Sequence, residues 1–92
     1  MAKLTDGAIT MALAGLPGWS RQGDTLMKVF TFPTFPAGVS FVDRVAVAAE
    51  EAGHHPDITI NYTRVTMSLS THDEGGVTEK DVALAQRIEA LV

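Results

Sequence analysis

The 92-residue chain contains no cysteine. Disulfides, thiolate metal sites and cysteine nucleophiles are excluded together, and the absence fits a reducing compartment. Positive charge is also scarce: Lys and Arg number 7 against 11 Asp and Glu, a formal net charge of -4. That balance lacks the electrostatic footprint of a nucleic-acid or anionic-membrane binder. No apolar run approaches the length of a bilayer span, and Met1-Ala2-Lys3-Leu4-Thr5-Asp6 carries no apolar signal region, so a soluble cytoplasmic protein is expected. The chain also lacks a glycine-rich phosphate loop, a Walker lysine, a Gly-x-Ser-x-Gly elbow and zinc-finger spacing.

What remains is an ordinary globular composition, 46% apolar and 20% charged, with a mean hydropathy of +0.14 that argues against disorder. The length suits one domain over residues 1–92 with one two-layer core. There is no repeat, linker or low-complexity segment. With thiols absent, acid/base chemistry falls to carboxylates and to three histidines, His54, His55 and His72. Histidine exchanges protons near neutral pH without help from its surroundings.

Thr5 is placed to cap a first helix with Ile9, Ala12, Leu13 and Leu16 at helical spacing, which Pro17-Gly18 stops. Trp19 to Arg21, a turn at Gln22-Gly23-Asp24 and an alternating run from Leu26 to Phe32 predict a hairpin. Beyond Pro33 and Pro36, the residues Val39, Val42, Val45, Ala46 and Ala49 mark one face of a second helix ending near Ala52. Gly53 is its expected C-terminal cap, and His54-His55-Pro56 lies at its exit.

Apolar positions then switch parity, from Ile58, Ile60 and Tyr62 to Val65, Met67 and Leu69. A continuous strand does not switch parity, so a turn or bulge near Tyr62-Thr63-Arg64 is expected, giving a second hairpin whose last strand runs to Ser70-Thr71-His72. Asp73-Glu74-Gly75-Gly76 is a loop, Thr78 and Asp81 have capping-box spacing, and Leu84, Ile88 and Leu91 line a third helix. The predicted class is α+β: a two-layer fold in the order α-β-β-α-β-β-α, with a four-stranded antiparallel sheet and three helices on one face. The other face, or an edge strand, is a candidate for subunit contact.

A histidine at a helix C-terminus is favoured by the macrodipole, so His54 alone has a purely stabilising explanation. The case for a site rests on His54, His55 and His72 taken together with Glu50, which precedes His54 by one helical turn and is expected to orient its imidazole. No His-x-x-x-His or His-x-His spacing exists, so metal binding ranks below acid/base work. Trp19 reads first as a core or rim residue, with the walling of a heteroaromatic pocket as the alternative.

These residues carry a resemblance. Glu50-x-x-x-His54-His55-Pro56, Tyr62, Val65, Leu69-Ser70-Thr71-His72-Asp73 and Gly76-Val77-Thr78-x-x-Asp81-x-x-Leu84-Ala85 resemble the signature of the pterin-4a-carbinolamine dehydratases. The likeness extends upstream through Gly18-Trp19, Phe30-x-Phe32, Phe35 and Val42-x-Arg44-Val45-Ala46. It implies a lyase that dehydrates 4a-hydroxytetrahydropterins to quinonoid dihydropterins, recycling the pterin after aromatic amino-acid hydroxylation, with no metal or further cofactor. It also implies that His54 and His72 are the acid/base pair, that His55 chiefly binds substrate, and that the Ser70-Thr71-His72 backbone reads the amide edge of the pterin. Gly53, Trp19 and Asp81 complete the expected substrate contacts, and Glu50 is expected to support catalysis. A homodimer or homotetramer and a hydroxylase acting in the same pathway are the expected partners. The chain departs from animal members at Asp57-Ile58, which replaces an acidic-aromatic pair, and at Glu74 in a loop without cysteine. The alternative is a non-catalytic assembly module of the same fold.

Overall fold

The first helix, α1 (Asp6–Ala14), begins where Thr5 accepts a hydrogen bond from the Ala8 N–H at 3.1 Å. It buries Ile9, while Leu16 beyond its end is equally buried. The computed structural model describes residues 2–92. Strands β1 (Ser20–Gln22) and β2 (Thr25–Thr31) pair antiparallel around the turn at Gly23-Asp24. Arg21 on β1 donates to Asp6 at 2.6 Å, and its guanidinium holds that exposed carboxyl below the ordinary carboxylate range.

Helix α2 (Phe35–Ala52) starts at Thr34, whose hydroxyl accepts from the Ala37 N–H, with Pro36 in the first turn where a missing N–H is harmless. It ends at Gly53 with φ +61, a left-handed cap that glycine adopts without a Cβ penalty. Strands β3 (Asp57–Asn61) and β4 (Arg64–Leu69) form the second hairpin, and α3 (Glu79–Glu89) closes the fold. The sheet order is β1-β2-β4-β3, antiparallel throughout. The two-residue turn sets even-numbered β3 residues beside odd-numbered β4 residues, Ile58 with Met67 and Ile60 with Val65, which explains the parity switch.

One face of the sheet, carrying Leu26, Phe30, Val65, Met67 and Leu69, forms the core with buried residues of all three helices. Phe41 of α2 sits at its centre, fully buried, with its ring 4.9 Å from Phe30 and 5.0 Å from Phe32. Burying such a ring contributes about 1.5–3 kcal/mol. This contact also turns α2 away from the orientation the valines suggest. Its buried positions are Gly38, Phe41, Val45, Ala48 and Ala49, whereas Ala46 is exposed and Val39 and Val42 are half-buried. The valines lie on both flanks of the helix, and Phe41, the buried one of its two phenylalanines, decides which flank turns inward.

The last strand also ends earlier than expected. It stops at Leu69; Thr71 is held by a single bridge to Gly76, and His72 opens a 3-10 turn, His72–Glu74, rather than closing a strand. Gly75, at φ +73, caps that turn and reverses the chain toward α3.

Candidate active site

Gly53 turns the chain off the axis of α2, and this turn decides where the two histidines go. His54 is carried toward the start of α3, where its Nε2 lies 2.6 Å from Asp81 Oδ1. Asp81 is fully buried and the His54 side chain nearly so, at 12% exposed. The second Asp81 oxygen accepts from the Thr78 N–H at 2.9 Å and from the Thr71 hydroxyl at 2.8 Å. Thr71 and Thr78 are joined by a further hydrogen bond at 2.8 Å. Asp81 therefore closes the capping box of α3 and holds an imidazole with the same carboxylate. A carboxylate only accepts, so Nε2 carries the hydrogen in this bond and Nδ1 is the ring nitrogen that Asp81 leaves unengaged.

His55 goes the other way and pairs with Glu50, one turn back on α2. Both partners are largely exposed, so this pair is held loosely and is worth little to stability. The expected Glu50–His54 contact is thus replaced by Glu50–His55. The spacing was that of a continuing helix, but His54 lies past a left-handed cap, and helical periodicity ends there.

His72 reaches the same place from the sheet. Ser70 donates to the Asp24 carbonyl at 2.8 Å, and the Thr71–Gly76 bridge, with Thr71 N–H to Gly76 O at 2.9 Å, fixes the loop that carries it. Between these two chain segments lies a cleft of about 300 Å3. Gly53, His54 and His55 form one wall, and Ser70, Thr71 and His72 the other. Asp73 and Lys80 complete the rim. All three histidines of the chain face one cavity of a size suited to a small bicyclic ligand.

The family model described as pterin 4 alpha carbinolamine dehydratase matches residues 2–91. The chain belongs to this family. It is 52% identical over 91 residues to a protein of Thermomicrobium roseum, covering 99% of this chain and 98% of that one. With a protein of Mycobacteroides abscessus it shares 53% identity over 92 residues, covering 100% and 98%. Both carry the provisional name pterin-4-alpha-carbinolamine dehydratase. Among solved structures, a transcriptional coactivator/pterin dehydratase from Brucella melitensis superposes with a TM-score of 0.93 at 34% identity, over 97% of each chain. A pterin dehydratase-like protein identified as a RuBisCO assembly factor in the alpha-carboxysome superposes with a TM-score of 0.65 at 31% identity, over 79% of this chain and 84% of that one.

Two residues expected at the substrate of this dehydratase-family chain are placed elsewhere. Trp19 is in the core, edge-on to Phe30 at 6.1 Å, and its indole N–H donates to Glu89 at 2.8 Å. Glu89 also takes the Lys28 ammonium, so the polar end of the indole is satisfied far from the cleft. Asp81 lies behind His54 rather than on the cleft wall, and it meets the cleft only through two lining residues it holds, His54 and Thr71. Conversely, sequence reasoning missed Asp73 and Lys80. Lys80 had a readable signal: it is a cation in the first turn of α3, where the macrodipole favours anions, so its position calls for another explanation.

Proposed function

We propose that this chain dehydrates 4a-hydroxytetrahydropterins to quinonoid dihydropterins. The observation that carries the reading is the His54 imidazole, held from behind by buried Asp81 and opening onto the same cleft as His55 and His72. The reaction requires two proton transfers and nothing else. A proton goes to the 4a-hydroxyl, the C4a–O bond breaks with both electrons leaving on water, the N5 lone pair forms the C4a=N5 double bond, and N5 gives up its proton, the N–H pair remaining as its new lone pair. No electrons are gained or lost, so the substrate needs no oxidant.

His54 and His72, on opposite walls, serve as donor and acceptor, and the face bearing the hydroxyl decides which does which. Each positioned transfer is worth about 10²–10⁴-fold in rate. His55, beside Glu50, binds the ring, and the backbone of Ser70-Thr71-His72 meets its amide edge. Family membership supports the substrate class. The test is to generate a 4a-hydroxytetrahydropterin in situ at neutral pH and follow its loss. Catalytic amounts of the protein should speed that loss well beyond the buffer rate, and an unchanged rate overturns the reading.

A second role has one specific support: of two solved relatives, one is described as a transcriptional coactivator/pterin dehydratase and the other as a RuBisCO assembly factor. Capture of a macromolecular partner by a His54→Ala variant that no longer dehydrates would show such a role to be separate from the chemistry.

A further inference from the structure

His54 has a second cleft on its other side. This cavity, of about 250 Å3, is walled by Ala52 at the end of α2 and by Ala83, Leu84 and Arg87 on α3. It shares His54 and Lys80 with the histidine cleft. No step of the dehydration uses it. Its floor is aliphatic and its rim is cationic. Lys80 has no ion-pair partner among the described residues. Arg87 is only partly engaged, with one nitrogen on Glu51 and another 3.5 Å from the Ala48 carbonyl. An apolar segment ending in a carboxylate matches that arrangement on both counts.

The geometry of the substrate class points the same way. In a pterin, C4a and C6 flank N5, so a substituent on C6 leaves the ring from the edge that reacts. The 4a-hydroxyl stands off the face of the ring that His54 covers, while the C6 substituent leaves in the ring plane one atom beyond N5, so it emerges beside the His54 imidazole, which borders both cavities. The histidine cleft alone lies at the low end of the range for ligand pockets, about 300–1,000 Å3, and the two together lie inside it. We propose that the second cleft is a subsite for the C6 substituent. It selects reduced pterins bearing an extended apolar linker with a terminal carboxylate over pterins with a short uncharged substituent. This inference rests on the dehydratase reading.

The test compares the 4a-hydroxy derivatives of tetrahydrofolate, as the acid-tailed probe, and of 6-methyltetrahydropterin, as the short one. The wild-type protein should show a KM about tenfold lower for the acid-tailed substrate at similar kcat. Ala83→Trp, at an exposed helix position that does not border the histidine cleft, should erase that ratio, and Arg87→Gln should reduce it by about threefold. Equal KM values in the wild type, or a ratio that survives Ala83→Trp, would overturn the subsite. Thermal melts of the variants exclude misfolding as the cause. Absence of turnover with the short substrate strikes at the dehydratase reading instead. The subsite is then read by binding alone: folic acid binding more tightly than 6-methylpterin, with the difference lost in Ala83→Trp, supports it, and equal binding overturns it.

Discussion

Asp81 uses its two carboxylate oxygens for different tasks, one for the His54 imidazole and one for the Thr78 N–H and Thr71 hydroxyl that start α3. Position and stability are thereby coupled at one side chain, and a conservative change separates them. In Asp81→Asn the amide oxygen still serves the cap, while the amide nitrogen faces His54 and donates. The imidazole must then accept at Nε2 and carry its hydrogen on Nδ1, the wrong tautomer for taking a proton in the cleft. The expected result is a loss of about 10–100-fold in kcat with a changed pH–rate profile, against a small drop in Tm. A lowered Tm with an unaltered rate and profile would make Asp81 a structural cap only. At this scale the sequence disclosed the residues but mispaired them. Glu50 and His54 have the right spacing for a helix, yet Gly53 ends the helix between them, and the backbone turn there delivers His55 to Glu50 and His54 to Asp81.

The elements were readable wherever the signal was local. Thr5, Thr34 and Thr78 are found at the N-caps, and Gly53 at the C-cap of α2; the caps at Thr5, Gly53 and Thr78-Asp81 follow from residue type and spacing alone. What was not readable depends on distant partners. The facing of α2 is set by Phe30 and Phe32 of a separate strand, and β4 gives out at Leu69 because Thr71 turns into a polar network with α3. Gly53 is the element boundary on which the site depends, since its φ of +61 aims both histidines. A side chain in that conformation costs about 1–2 kcal/mol. Gly53→Ala should lower Tm by roughly 4–15 °C and reduce activity by more than the stability loss explains, because the cap and the histidine exit move together. Differential scanning calorimetry beside steady-state rates checks both parts; full activity at temperatures well below the melt would show that the cap does not aim the site.

For the whole molecule, the class and the order of elements were legible because hairpins are local. The sheet order β1-β2-β4-β3 was not, since it depends on pairing between β2 and β4, which are far apart in sequence. That long-range pairing sets β4 inside the sheet, and together with the turn of Thr71 toward α3 it brings His72 opposite the exit of α2. The site therefore belongs to the completed fold and not to any one segment. Among the described residues no group of three or more His, Cys, Asp or Glu is placed to hold a metal ion. If proton transfer by imidazoles is the whole chemistry, prior dialysis against EDTA should leave the dehydration rate unchanged. A rate that falls and returns on adding zinc would contradict this. The same dependence on assembly makes the opposed histidines the most exposed claim of the account. The direct measurement is the rate of 4a-hydroxytetrahydropterin loss with His54→Ala and His72→Ala beside the wild type, at matched Tm. A drop of about 10²-fold or more in each variant is predicted, and wild-type rates in both folded variants would contradict the account.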